Sequence, residues 1–260
     1  MRRLLVLLLM FSGQVLQSYC GISAGRSGVS DRAADYNDGT DPTRPLPRVD
    51  VQNDFFADWK EFKDDRSYNV TSLGSAYRFG TLLSLRLDIP VVTTNLSFTT
   101  KSGLGDIPLK ADYTFDKGGM ARLQVGMEVG LPTAGEVELG TGKLLLGPLV
   151  GTVFEYSGWF WGVFFKDVFS IAGDGSRPNI HELAIRPFLK LDLGKRWYAM
   201  FNPDIRINWI SERVFLPFTA EFGKLFGNAW VLGVRSGGHI SNADERYDWR
   251  LQVRLSYLFQ

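Results

Sequence analysis

The 260-residue chain has one cysteine and two histidines. A lone Cys20 excludes an internal disulfide framework and a Cys-rich metal site, and two imidazoles leave little for a His-ligated metal. No metal or cofactor is expected. A surplus of one charge is also missing. There are 29 Lys+Arg against 28 Asp+Glu, a formal net charge of +1, without the basic excess that a nucleic-acid binder sets against phosphates. No nucleic-acid partner is expected either. Long apolar runs are scarce: residues 4–11 form an unbroken run of eight, LLVLLLMF, whereas a membrane-spanning helix takes about 20. No segment of convincing length shows helical spacing. What is present is glycine and aromatics, with 28 Gly, 19 Phe, 9 Tyr and 7 Trp. They sit in a chain that is 45% apolar and 22% charged, near the globular average.

The short apolar run follows Met1-Arg2-Arg3 and precedes Ser12, Gly13, Gln14 and Ser18. A basic start, a short apolar stretch and a small, polar exit make the layout of a secretory signal peptide. Residues 1–20 are assigned to it, with cleavage before Gly21, or slightly later with Ile22 and Ala24 before the cut. A lipoprotein reading of Cys20 is opposed by Tyr19, which stands where a small residue belongs. Losing residues 1–20 removes Arg2 and Arg3 and no acid, leaving a net charge of −1. Residues 21–48 are rich in Gly, Ser, Asp and Pro without apolar periodicity. They read as a flexible leader outside the folded body.

From residue 49 onward the pattern has period two. Trp249, Leu251, Val253, Leu255, Tyr257 and Phe259 alternate with Arg250, Gln252, Arg254 and Ser256. Successive side chains of a strand point to opposite faces, so one face is apolar and the other polar. The same alternation runs through Leu123, Val125, Met127 and Val129, through Leu183, Ile185 and Leu189, and through Trp197, Phe201, Ile205 and Trp209. Twelve segments follow from it: 49–59, 68–79, 82–91, 105–115, 120–131, 143–155, 158–169, 181–193, 196–209, 213–223, 228–239 and 248–259. Ordinary strands average about 5–6 residues, and a tilted transmembrane strand takes about 9–11. Aromatics end the apolar faces, as at Trp197 and Trp209, Trp249 and Phe259, and Tyr113 and Phe115, the positions of interfacial girdles. A soluble sandwich with this pattern would fill its core with unpaired ions. The expectation is an all-β, antiparallel transmembrane β-barrel of about 12 strands over residues 49–260. Membrane lipids are then its solvent. Connections alternate between short ones and longer ones such as 60–67, 92–104, 132–142 and 170–180, the habit of outer-membrane barrels. The outer membrane of a Gram-negative bacterium is the expected location.

Three stretches carry a family resemblance. Gly103-Leu104-Gly105-Asp106-Ile107 opens a strand, Leu131-Pro132-Thr133 closes the next, and Gly140-Thr141-Gly142-Lys143 follows. With the alternating last strand, residues 70–259 resemble the outer-membrane β-barrel family linked to the meta-pathway of phenol degradation, a family of porin- or transporter-like proteins. The resemblance implies a channel that passes small solutes, hydrophobic or aromatic ones among them. Val253, Leu255, Tyr257 and Phe259 also resemble the C-terminal signal read by the barrel-insertion machinery, although Gln260 follows the last aromatic. Gly140-Thr141-Gly142-Lys143 is not a phosphate loop: the glycine spacing is wrong, Leu144 follows the lysine and no helix follows.

With apolar faces toward lipid, the polar set lines the interior. The candidate pore-lining residues are Arg122, Glu128, Arg186, Lys190, Asp204, Arg206, Arg235, Arg250 and Arg254. Opposed charges on a narrow wall would orient a small-molecule solute. Two other readings stand beside the channel: a structural barrel whose interior is filled by mutual ion pairs, and a hydrolase. His239-Ile240-Ser241-Asn242 resembles the motif of outer-membrane lipid A 3-O-deacylases, in which His activates Ser. Here His239, Ser241 and Glu245 would be the triad, the Glu standing closer to the Ser than in that family. The favoured reading is not an enzyme.

Overall fold

The computed structural model describes residues 37–57, 66–80, 82–97, 99–156, 159–242 and 247–259. The expected signal peptide, residues 1–20, lies outside them. Fourteen strand segments follow one another: β1 (Arg48–Ala57), β2 (Ser67–Phe79), β3 (Leu83–Thr94), β4 (Lys101–Leu104), β5 (Ile107–Asp116), β6 (Ala121–Leu131) and β7 (Lys143–Tyr156). Then come β8 (Trp159–Gly173), β9 (His181–Gly194), β10 (Trp197–Phe201), β11 (Ile205–Asn208), β12 (Arg213–Phe226), β13 (Trp230–Asn242) and β14 (Trp249–Leu258). No helix occurs among the described residues.

All pairings are antiparallel, and β1 pairs with β14 from Arg48↔Leu258 to Ala57↔Trp249. The sheet therefore closes on itself. β4 and β5 both pair with β3, and β10 and β11 both pair with β9 and β12. Each couple is one interrupted wall strand, so fourteen segments make a closed barrel of twelve. One segment that read as continuous, 196–209, is thus the site of a break, and β4 falls in the stretch 92–104 that read as a connection. In 196–209, the pairs Phe201↔Leu189 and Ile205↔Ile185 set Pro203 against Pro187. Neither proline has an N–H, so the ladder lapses there. Alternation cannot reveal this, because Pro203 occupies a regular apolar position.

The strand ends joined by the short connections β2–β3, β5–β6, β7–β8, β9–β10 and β12–β13 gather at one rim with the start of β1 and the end of β14. The β9–β10 hairpin is a two-residue turn with φ of 51° at Lys195 and 66° at Arg196, the left-handed geometry that such hairpins require. Longer connections form the other rim. Outward positions are apolar and exposed, as in Leu85, Leu87, Ile89 and Val91 of β3. Exposed aromatics crowd the short-turn rim: Phe79, Phe115, Tyr156, Trp159, Trp197, Trp230 and Tyr257. Trp209 and Trp249 mark the other. The buried set is largely polar, and includes Asp50, Thr114, Arg122, Gln124, Glu221 and Gln252. This is a core turned inside out, as a chain dissolved in lipid requires.

One boundary is corrected. The leader was expected to stay outside the folded body through residue 48. Instead Asp38, Asp41 and Thr43 are buried against the inner wall, and Leu46 packs on Tyr198, Met200, Leu225, Val231 and Leu258. β1 itself begins at Arg48.

The outward face gives a direct test. Val253 lies in the middle of β14 with its side chain toward lipid. Val253→Arg is expected to destabilise the bilayer-refolded barrel by about 2–4 kcal/mol, measured by denaturant unfolding. A change within error would mean that this face is not turned to hydrocarbon.

Candidate functional site: the barrel lumen

The inward faces of β1, β3, β5, β6, β8, β9 and β12–β14 each carry at least one ionic side chain, and these side chains pair across strands. Asp54 accepts from Arg250 and from Gln252 Nε2 at 2.7 Å, joining β1 to β14. Arg86 bridges Asp50 (2.6 Å) and Asp88 (2.6 Å). Lys166 Nζ lies 2.7 Å from Glu128 Oε1. Asp204 receives Arg186 Nε at 2.8 Å and Arg206 Nη2 at 2.5 Å, while Arg206 also reaches Glu182 at 2.7 Å. Glu221 accepts from Arg235 Nη2 (2.7 Å), Arg254 Nη2 (2.9 Å) and Tyr198 Oη (2.7 Å). Gly223 makes room for that cluster: a Cβ there would stand 2.2 Å from the Tyr198 ring.

The pairing is lopsided in depth. The side chains of Asp50 and Glu221 are 1% and 2% exposed, while their partners Arg86 and Arg235 are 25% and 21% exposed. At these two sites the carboxylate sits back against the wall and the guanidinium faces the opening, whereas Glu128 is more exposed than its partner Lys166. Arg86 and Arg235 are among the residues that line a cavity of about 460 Å³. Its charged lining is Arg48, Arg86, Lys110, Lys166, Arg186, Arg235, Arg250 and Arg254 against only Asp204 and Glu221. A low-dielectric wall focuses such a field into the lumen.

Five of the nine candidate lining residues, Arg186, Asp204, Arg235, Arg250 and Arg254, lie on this cavity. Glu128 and Arg206 point inward and are held by the pairs given above. Arg122 and Lys190 are inward but covered. Arg122 donates to Asp41 (2.6 Å), Thr43 Oγ1 (2.7 Å) and Glu155 (2.8 Å), with none of its side chain exposed. Lys190 pairs with Asp38 at 2.5 Å. Gln124 Nε2 donates to the Pro42 carbonyl at 2.7 Å, and Arg48 donates to the Gly39 carbonyl. The segment 37–47 therefore crosses the short-turn end, and Gly39, Thr40 and Pro42 floor the cavity. Asp50, Asp54, Arg86 and Glu221 were not among the nine, although alternation along their strands places all four inward.

The motif stretches meet at the opposite rim. The Asp106 carboxylate accepts from the N–H groups of Ala134 (3.1 Å), Thr141 (2.5 Å) and Gly142 (3.2 Å) and from Thr141 Oγ1 (2.6 Å). Thr133 Oγ1 donates to the Gly105 carbonyl at 2.6 Å. A Cβ at Gly140 would stand 2.8 Å from the Asp106 carboxylate. The motifs thus build a knot tying two connections, 105–106 and 132–142, together. Nearby, hydrogen bonding from Lys101 holds the Glu138 carboxyl below its ordinary range.

The structure pairs His239 with Asp248 rather than with Ser241. His239 Nε2 lies 2.7 Å from Asp248 Oδ1, Nδ1 has no hydrogen-bond partner, and no hydrogen bond joins the ring to Ser241. Glu245 falls outside the described residues. Ser241 is exposed while His239 sits beside the buried Phe215. Among the described residues no group of three or more His, Cys, Asp or Glu is placed to hold a metal.

No family model matches the chain, and no curated protein matches it. Solved structures do. An outer-membrane channel from Pseudomonas putida F1 superposes with a TM-score of 0.63 at 14% identity, over 84% of this chain and 98% of that one. The KdgM porin gives 0.60 at 10% identity, over 82% and 99%, and has also been solved in complex with disordered oligogalacturonate. The translocator domain of the autotransporter NalP from Neisseria meningitidis gives 0.52 at 15% identity, over 85% and 91%. The likeness is one of fold.

The Glu221 cluster is the most consequential set of buried pairs. Glu221→Ala removes the shared acceptor of Arg235, Arg254 and Tyr198, and is expected to cost about 3–5 kcal/mol, as breaking a buried pair does. Denaturant unfolding of the refolded variant measures it. A cost under about 1 kcal/mol, the worth of an exposed pair, would show the cluster to be solvated.

Proposed function

We propose that the chain is an outer-membrane channel through which small solutes pass passively, and that its lumen favours anions. The observation that carries the reading is the cavity of about 460 Å³ with eight cationic side chains and two carboxylates on its wall. A net charge near zero gives no hint of this, because part of the balancing acid lies on the rims, as Glu136 and Asp174 do, and part is set back behind arginines, as Asp50, Asp54 and Glu221 are. Two further facts support the reading: the chain opens with the layout of a secretory signal, and its fold is shared with outer-membrane channels. Oligogalacturonate, the molecule solved with the KdgM porin, is an acidic sugar chain, in keeping with anion passage through this kind of barrel. A hydrophobic or aromatic solute is the cargo implied by sequence resemblance, and the cavity wall includes Leu149, Phe164, Pro187, Phe188 and Met200. Insertion of the barrel by dedicated machinery, signalled by the last strand, belongs to the same proposal.

Two outcomes are expected in planar bilayers. Under a KCl gradient the reversal potential takes the sign for chloride preference; a value at zero or of cation sign would reject the cationic lumen. Deleting residues 21–47 removes the floor made by Gly39, Thr40 and Pro42 and is expected to raise single-channel conductance several-fold. Equal conductance would place the segment outside the conducting path.

A further inference from the structure

The cavity has two unlike walls. On one, four successive segments β7, β8, β9 and β10 contribute Leu149, Phe164, Phe188 and Met200. On the other, β13, β14, β1 and β3 contribute Arg235, Arg250, Arg254, Arg48 and Arg86. Closure of β14 on β1 makes the second group as contiguous as the first, with only β2 intervening. β12 parts the two groups on one side and β4–β6 part them on the other, so the walls face each other across the cavity.

The apolar wall is built flat. Gly151 and Gly162 point inward beneath its rings. A Cβ at Gly151 would stand 2.1 Å from the Phe164 ring, and one at Gly162 would stand 2.9 Å from the Phe188 ring. Without those side chains both rings lie down against the sheet. Their planes are within 22° and their centroids 5.9 Å apart. The result is a broad aromatic face rather than two rings projecting into the lumen. The cations nearest it, Lys166 and Arg186, are committed to Glu128 and Asp204.

The arginine wall keeps unused donors. Arg235 and Arg250 each spend Nε and Nη2 on one carboxylate, Glu221 and Asp54. Arg254 spends Nη2 on Glu221 and Tyr198. Nη1 of all three has no protein acceptor among the described residues.

We infer that the lumen holds a binding site for a flat organic anion: a single-ring carboxylate whose ring lies on Phe164 and Phe188 and whose carboxylate accepts from Arg235, Arg250 and Arg254. The cavity is in the range of small-molecule sites, about 300–1,000 Å³. Aromatic stacking and charge-assisted hydrogen bonds are both satisfied only by a molecule that carries both features. The inference rests on the anion-favouring channel and names its solute class.

The test is isothermal titration of the refolded mature barrel in a zwitterionic detergent, with micelle-only controls. The titrants are benzoate, acetate, which has the charge without the ring, and benzyl alcohol, which has the ring without the charge. Benzoate is expected to bind about tenfold more tightly than either. Phe188→Leu, checked for folding by its heat-modifiable gel shift, is expected to bring benzoate close to acetate. Benzoate no tighter than acetate or benzyl alcohol, or unchanged in the folded variant, overturns the site. The reversal potential in KCl decides the channel reading separately. A chloride-selective pore indifferent to benzoate rejects only the site, and a benzoate-binding barrel that does not conduct rejects only the channel.

Discussion

Everything in this molecule follows from one demand: in hydrocarbon, each backbone N–H and C=O must find its partner within the protein. A sheet meets the demand only by closing, and here closure rests on the β1–β14 ladder between residues about as far apart as the chain allows. The exceptions obey the same logic. Where the ladder between β9 and the β10–β11 strand lapses, Pro187 and Pro203 oppose each other, so neither strand has an N–H there to leave unpaired.

Closure dictates the chemistry of the interior. Side chains alternate across the wall, so making the outside apolar assigns every other residue to a space of small radius where charges lie close together. Unpaired, each would carry a desolvation cost of several kcal/mol. The chain answers with clusters in which one carboxylate serves several donors, as Glu221 serves the cations Arg235 and Arg254 and the Tyr198 hydroxyl. A carboxylate presents two compact oxygens and can sit deep, whereas a guanidinium is long and multidentate and still shows N–H groups on its far side. Equal numbers of the two signs then give an unequal surface. The field of the lumen comes from side-chain geometry as much as from charge count.

That distinction marks how far the sequence could be read. The all-β class, the twelve strands and their inward faces are legible because period two is imposed locally, residue by residue, and residues 248–259 display it without a break. The strand interruptions are not, since Pro203 satisfies the alternation while removing a donor. The long-loop knot is visible only as motifs; that Asp106 is the acceptor joining them requires residues 35 positions apart to meet. The lining set was half legible. Alternation named Arg186, Asp204, Arg235, Arg250 and Arg254, but gave no sign that Arg122 and Lys190 would be covered. Their covers, Asp41 and Asp38, stand 81 and 152 residues away in a stretch whose Gly, Ser, Asp and Pro content reads as a free tail. Composition cannot tell an unstructured tail from an irregular segment held by a partner, because both lack a periodic apolar face.

The covering segment differs in kind from the wall that it touches. No strand ladder holds residues 37–47; the ladder of β1 starts at Arg48. Its attachments are the ion pairs of Asp38, Asp41 and Arg44, hydrogen bonds to Thr43 Oγ1 and to the Gly39, Pro42 and Pro47 carbonyls, and the packing of Leu46. Withdrawing any wall strand would expose a row of backbone groups to hydrocarbon. Withdrawing this segment would instead uncover Arg122 and Lys190 to an aqueous lumen, where cations are solvated and Glu155 remains beside Arg122. The energetic penalty thus falls on moving the wall and spares the floor. The cations released would add to the positive face that the cavity already presents, so the floor and an anionic solute compete for the same kind of group.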